Sequence, residues 1–239
     1  MSEPDTTVLM LPGLLCDADV WEPQIASLTG ARCVVPDYRA ADSITRMAQI
    51  ALAAAAGPVS VVGHSMGGRV ALEVARLAPL RVMRLALLDT GYQARPAGPA
   101  GEYEARERRR LVAIARTHGM RAMGSEWVRG MVHPDRLDDA ALVDRILAMI
   151  ERQSFDSYLC QVNALLTRPD ATEVLQSIRC PALIGCGRED AWSPLARHEE
   201  MARLMRHATV AAFDQCGHMA TLEQPAAVTQ SLQQWLRAP

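Results

Sequence analysis

A serine stands between two glycines in the stretch GHSMGG, at residues 63–68. An apolar run precedes this stretch and a helical pattern follows it, so Ser65 is expected at the tip of a sharp turn from a strand into a helix. Glycine at positions 63 and 67 removes side chains that would collide where the strand and the helix cross. The hydroxyl is then exposed, and the neighbouring backbone amides lie at a helix start, where negative charge is stabilised. The pattern predicts a nucleophile at Ser65.

A serine nucleophile needs a base, and the base needs a carboxylate that orients it. His218 lies in CGHMATLEQP, between the last apolar run and the last helical pattern, and Asp190 lies in GREDAWSP, after the preceding run. Both loops should lie at the carboxyl edge of a parallel sheet, beside Ser65. Asp89, at the end of the run ALLD, competes with Asp190 for the role of the carboxylate. Asp214 is too near His218 in sequence to reach its ring comfortably.

The other histidines are interpreted as structural. His64 belongs to the same turn as Ser65, and the turn should direct its ring away from the serine. Surface or capping roles are expected for His118, His133, His198 and His207.

Short apolar runs alternate with helical patterns along the chain, as in repeated βα units. The runs lie at residues 6–11, 32–36, 59–63, 84–89, 181–187 and 208–213. Apolar residues at three- and four-residue spacing predict helices over 18–29, 42–56, 66–78, 194–206 and 222–237. The alternation predicts an α/β fold with a mostly parallel, doubly wound sheet of about six strands.

One interval lacks strand patterns. Residues 91–169, hereafter the inserted segment, carry only helical stretches and are expected to form a helical cap over one end of the sheet, inserted after the strand that ends near Asp89. Residues 1–90 and 170–239 would form the core. The charged run RERRR within the segment is interpreted as a solvated helix face, with a phosphate- or carrier-binding patch as the alternative. Near the end of the segment, Tyr158 or Gln161 is expected to face a substrate.

Composition limits the classes of function. The chain has 239 residues, 49% of them hydrophobic, a formal net charge of −2 and no lysine. This predicts one large core and argues against a nucleic-acid partner. No signal peptide, membrane anchor, metal motif, phosphate loop or dinucleotide fingerprint is seen, so neither a membrane association nor a metal or cofactor is expected. The six cysteines lack paired spacing, which favours reduced thiols and a cytoplasmic location. The sequence gives no indication of the oligomeric state.

Four stretches, in this order, carry a resemblance to a known family: LPGLLCDADVWEPQIASL, GHSMGG, GREDAWSP and CGHMATLEQP. Together they resemble the α/β-hydrolases of the small carboxylesterase type, in which the nucleophile, acid and histidine follow in this order. Two departures stand out. Pro12 and Gly13 replace the usual His-Gly pair, and the chain starts almost directly at the family's third strand, so the family's first two antiparallel strands are expected to be missing.

The resemblance implies the α/β-hydrolase fold and cleavage of a small carboxylic ester through an acyl-enzyme on the serine. It also implies an oxyanion hole made by the backbone N–H groups of Met66 and Leu14. Substrate-pocket side chains are expected at Leu15, Trp21, Tyr158 and Trp192. Two alternatives remain: the same three residues could cleave a thioester, an enol lactone or a carbon–carbon bond, or the protein could be a non-catalytic sensor of a small molecule on the same fold.

Overall fold

A six-stranded sheet forms the centre of the computed structural model, which describes residues 6–238. Its strands are β1 (Thr7–Leu11), β2 (Arg32–Val34), β3 (Val59–His64), β4 (Val82–Leu88), β5 (Ala182–Gly187) and β6 (Ala208–Phe213). They are ordered β2-β1-β3-β4-β5-β6, and each neighbouring pair is parallel. The predicted α/β fold with a mostly parallel sheet of about six strands is therefore confirmed, and the carboxyl ends of all six strands lie at one edge.

The central strands are mostly apolar because helices cover both faces of the sheet. Every residue of β3 and of β5 is buried, whereas the edge strands β2 and β6 contain exposed positions. The edge strand β2 ends at Val34, two residues earlier than predicted. The chain reaches Pro36 there, and proline has no N–H to donate to a ladder.

Helices of the core pack in two groups. The core helices before the inserted segment are α1 (Glu22–Ser27), α2 (Ile44–Ala54) and α3 (Met66–Leu77). Those after it are α8 (Thr172–Ser177), α9 (Leu195–Leu204), α10 (Ala220–Glu223) and α11 (Pro225–Arg237). Helix α1 contacts α11, whereas α2 contacts α3, α3 contacts α8 and α8 contacts α9. Two predicted helices begin differently: residues 18–21 form a 3-10 turn before α1, and Pro225 starts a new helix after α10.

The inserted segment is helical, with α4 (Pro99–His118), α5 (Met120–Trp127), α6 (Ala140–Glu151) and α7 (Phe155–Leu166). Helix α6 is joined to the loop before α1 by ion pairs of Arg145 and Arg152 with Asp17 and Asp19. That this segment is a cap distinct from the core stays a prediction.

Three further structural facts concern membranes, metals and thiols. Within residues 6–238, no helix is both long and apolar enough to cross a membrane. Over the same range, no three His, Cys, Asp or Glu side chains are grouped so that they could hold a metal ion. All six cysteines are free.

Candidate active site

Ser65 lies at the tip of the turn between β3 and α3 with φ +55° and ψ −116°. A positive φ is strained for a residue with a side chain, and such strain persists only where the surrounding structure imposes it. The approach of strand and helix imposes it here: a Cβ on Gly63 would stand 2.1 Å from the Gly67 carbonyl oxygen, and one on Gly67 would stand 2.0 Å from the carbonyl oxygen of Leu11. The Ser65 N–H donates to the Leu88 carbonyl at 2.9 Å. These contacts hold the hydroxyl out at the carboxyl edge of the sheet.

The structure brings the serine, histidine and aspartate together. His218 Nε2 lies 2.7 Å from Ser65 Oγ, and His218 Nδ1 lies 2.8 Å from Asp190 Oδ2. The other carboxylate oxygen of Asp190 accepts the N–H groups of Trp192 and Ser193 at 2.8 and 2.9 Å. Burial works to raise the pKa of Asp190, but His218 and these two amides outweigh it and lower the pKa to about 2. Asp190 is therefore ionised at neutral pH and can stabilise a proton on His218.

Two backbone amides beside Ser65 are available to a ligand. The Met66 N–H is the first of α3, so no residue of that helix can accept it. Among the described residues, neither it nor the Leu14 N–H donates to a protein acceptor. Leu14, Ser65 and Met66 all line one cavity. An oxyanion formed beside Ser65 would find two donors there.

The loop that carries His218 is held by buried groups that the sequence analysis did not assign to it. The His64 ring donates from Nε2 to the His218 carbonyl at 2.7 Å, and the His218 N–H donates to the Met131 carbonyl at 2.7 Å. Burial and the nearby His218 lower the pKa of His64 to about 4, so the His64 ring is neutral at neutral pH. Glu223, buried on α10, accepts the N–H groups of Gly217 and Met219. The sequence signal for Glu223 was only its position five residues after His218.

The two rival carboxylates do not contact His218. Asp89 is completely buried, and its Oδ1 accepts the Gly187 N–H at 2.8 Å. Burial and the charge of Asp190 raise the pKa of Asp89 well above its usual range. Asp214 is exposed and pairs with Arg188. Of the three candidates, only Asp190 lies against the His218 ring.

His198 does not have the expected surface or capping role, because its ring is fully buried near the turn that carries Ser65. Its Nε2 accepts the Thr90 N–H at 3.0 Å, and the Thr90 hydroxyl donates to the Ser65 carbonyl at 2.6 Å. Burial lowers the pKa of His198 to about 4. The sequence did contain a signal for this burial. His198 stands three residues before Met201, so the two side chains share one face of α9, and both are buried.

A cavity of about 600 Å³ opens over Ser65, Met66 and His218. Of the four predicted pocket side chains, Trp192 lines this cavity. Leu15, Trp21 and Tyr158 do not; they are buried below or behind it because their apolar side chains pack into the core. A larger groove of about 1110 Å³ runs between β2 and α2 and contains none of the groups around Ser65.

Gln161 does not face the cavity either. Its Oε1 accepts the buried Leu15 N–H at 2.8 Å, across 146 residues of chain. Leu15 has a positive φ of 60°, which is strained for a residue with a side chain. The hydrogen bond that Leu15 donates to Gln161, a residue of the inserted segment, therefore helps to hold the turn that presents the Leu14 amide.

Comparisons with known proteins agree with this geometry. The model of the alpha/beta hydrolase family matches residues 8–230, so the chain belongs to that family. The resemblance to small carboxylesterases is confirmed, and so, at the level of this family and the relatives below, is the prediction of an enzyme of the ester-hydrolase type.

Three similar proteins illustrate the relationship. The pimeloyl-[acyl-carrier protein] methyl ester esterase of Aromatoleum aromaticum is 29% identical in an alignment 187 residues long that covers 69% of this chain and 68% of that protein. The (E)-2-((N-methylformamido)methylene)succinate hydrolase of Acinetobacter baylyi is 26% identical over 75% of this chain and 65%, slightly under two thirds, of its own length. A thermophilic esterase from Thermogutta terrifontis, solved with malate bound, superposes with a TM-score of 0.87 at 29% identity, covering 97% of this chain and 89% of that one.

Proposed function

We propose that this protein is a serine hydrolase that cleaves small carboxylic esters through an acyl-enzyme on Ser65. The observation that carries the proposal is the continuous hydrogen-bonded line from Ser65 Oγ through the His218 ring to Asp190, with steps of 2.7 and 2.8 Å. Both distances lie within the range needed for proton transfer between a nucleophile, its base and an orienting acid.

In the first step, Ser65 Oγ attacks the ester carbonyl carbon while its proton passes to His218 Nε2. The Leu14 and Met66 amides stabilise the negative oxygen of the tetrahedral intermediate, and each such donor is worth about 3 to 4 kcal/mol of transition-state stabilisation. His218 returns the proton to the leaving alkoxide, and the alcohol departs. Water, deprotonated by the same ring, then releases the carboxylic acid and restores Ser65. Asp190 keeps the ring in the required tautomer throughout.

An ester is the first choice of substrate, and other acyl compounds are the second. The A. baylyi relative is named for hydrolysis of a succinate derivative that is not a simple ester. Thioesters, enol lactones and activated carbon–carbon bonds would use the same attack on a carbonyl carbon. A location in the cytoplasm is supported by the six free cysteines, because thiols stay reduced in that compartment.

Turnover of p-nitrophenyl acetate and butyrate by wild type and by Ser65→Ala tests the proposal. Wild type should release nitrophenol with a burst, and intact-protein mass spectrometry should show one added acyl group that Ser65→Ala lacks. A wild type no faster than the variant, with no acyl group on Ser65, would contradict a hydrolase and favour the non-catalytic sensor.

A further inference from the structure

Four arginines line the cavity over Ser65, although none of them takes part in the proposed chemistry. Two come from core helices and two from the inserted segment, and we call them the arginine cluster: Arg69, Arg108, Arg168 and Arg197. Arg69 stands four residues after Ser65, so it projects on the same side of α3, roughly 6 Å further along the helix axis.

Two members of the arginine cluster have a carboxylate partner. Glu104 accepts from Arg168 at 2.6 and 2.9 Å and from Arg108 at 3.0 Å. The other cavity-lining glutamate, Glu107, pairs with Arg110. One carboxylate at 104 thus faces two guanidinium groups, and it accepts no hydrogen bond from Arg69 or Arg197.

Arg69 and Arg197 have no carboxylate within 4.0 Å among residues 6–238. Arg69 donates to the Gln93 carbonyl at 2.8 Å, and Arg197 donates to the Trp192 carbonyl at 3.1 Å. Those are the hydrogen bonds of the two side chains within the described range, and each guanidinium carries five N–H donors. Most of their donors therefore remain for a ligand.

The two guanidinium groups also converge on one point. A Cβ on Gly91 would stand 3.0 Å from Arg69 Nη2 and 3.6 Å from Arg197 Nη1. Burial, followed by repulsion from the charges of Arg168 and Arg197, lowers the pKa of Arg69 to about 9, which still leaves it positive at neutral pH. Gly91 keeps the space between the two side chains open. An anion placed there would relieve the repulsion and accept charge-assisted hydrogen bonds.

We propose that Arg69 and Arg197 bind a carboxylate of the substrate, so that the preferred esters are half-esters of short dicarboxylic acids. This inference rests on the hydrolase function proposed above and specifies its substrate class. The planar forks of the two side chains match the geometry of a carboxylate. The spacing of roughly one helical turn between Ser65 and Arg69 suits an acid whose two carboxyl carbons are a few bonds apart.

A pair of substrates that differ only in charge tests the inference. Monoethyl glutarate carries the carboxylate, and ethyl glutaramate has a neutral carboxamide of the same size in its place. Wild type should hydrolyse the half-ester with a kcat/KM at least about tenfold higher, since a charge-assisted hydrogen bond is worth that much. Arg69→Met and Arg197→Met should each lower this ratio at least about tenfold, and Arg69→Lys should fall between wild type and Arg69→Met.

Arg109→Met is the matched control, because Arg109 lies one residue after Arg108 on α4 but is exposed. It should leave the ratio unchanged. A ratio near one in wild type, or a ratio that neither Arg69→Met nor Arg197→Met alters, would show that no carboxylate site exists. Arg69 and Arg197 lie on different helices, α3 and α9, so the test can still be made with one variant if the other fails to fold.

Binding separates this inference from the proposed function. Calorimetry with Ser65→Ala and monoethyl glutarate requires no turnover, and adding Arg69→Met should raise the Kd at least about tenfold. If Ser65→Ala retained wild-type turnover but bound the half-ester through Arg69, the serine mechanism would be wrong and the carboxylate site right. If the double variant bound equally well, the carboxylate site would be wrong and the hydrolase would stand.

Discussion

The cavity over Ser65 has two walls that differ in how their polar groups are paired. On the catalytic wall, formed by Leu14, Ser65, Met66 and the His218 loop, the side chains are already joined at 2.7 to 2.8 Å and are held from behind by buried groups. In the arginine cluster, by contrast, guanidinium donors outnumber the carboxylates that face them. The hydrogen-bonded groups of the catalytic wall can act on any substrate that presents a carbonyl carbon to Ser65. The guanidinium groups that lack a carboxylate partner can instead bind an anionic group of the substrate. The two proposals accordingly place the reaction on the first wall and the choice of substrate on the second.

Among the changes compared, substitution of Asp190 on the catalytic wall should cause the largest loss of activity. Asp190→Asn should lower kcat by about 10⁴-fold, because an amide does not hold His218 in the tautomer that accepts the serine proton. Asp89→Asn is the matched control, since Asp89 is a buried carboxyl that does not contact the His218 ring, and it should cost less than about tenfold. Steady-state kinetics on p-nitrophenyl butyrate measures both. Equal losses in the two variants would mean that the carboxyls share the role.

The catalytic wall was the part that sequence could predict. Ser65, Asp190 and His218 each follow an apolar run, and their contacts depend on strand ends meeting at one edge, which the alternation of elements already implies. Asp89 stayed open beside Asp190 because both end neighbouring strands. The direction of the His218 ring, which decides between them, is a tertiary property.

The arginine cluster was not predictable for the same reason. Its members lie up to 128 residues apart, and whether an arginine meets a carboxylate depends on packing between the core and the inserted segment. The run RERRR illustrates this: Arg106, Arg109 and Arg110 are exposed, as expected of a solvated face, but Arg108 turns toward Glu104 and the cavity. The prediction that Leu15, Trp21 and Tyr158 line the substrate pocket was wrong, because these side chains pack into the hydrophobic core instead.

Two buried histidines behind the catalytic wall, His198 and His64, should make the free energy of unfolding of the protein sensitive to acid. His198 has a pKa of about 4 when folded and about 6.5 when unfolded, so the unfolded chain binds its proton first. Stability is therefore complete above pH 6.5 and declines as the pH falls toward 4. Between pH 7 and pH 5 this histidine should cost about 2 kcal/mol of unfolding free energy, and His64, with the same shift, a similar amount.

Urea unfolding of His198→Gln at both pH values checks this. The loss between pH 7 and pH 5 should shrink by about 2 kcal/mol relative to wild type, since one of the two buried rings is gone. His207→Gln is the control, because His207 is exposed and should leave the loss unchanged. A His198→Gln variant as acid-sensitive as wild type would show that the ring does not resist protonation.

The smallest effect concerns a side chain of the inserted segment that supports the catalytic wall directly. Gln161→Leu removes the acceptor of the buried Leu15 N–H and should loosen the turn that presents the Leu14 amide to the oxyanion. Since an unpaired buried donor costs about 1 to 3 kcal/mol, kcat on p-nitrophenyl butyrate should fall about tenfold with KM nearly unchanged. Asn163→Ala, on the same helix, breaks only an exposed bond to the Asp42 carbonyl and should leave both constants near wild type. A rise in KM at constant kcat for Gln161→Leu would instead place this residue with substrate binding, because an oxyanion donor acts on the transition state and not on the bound ester.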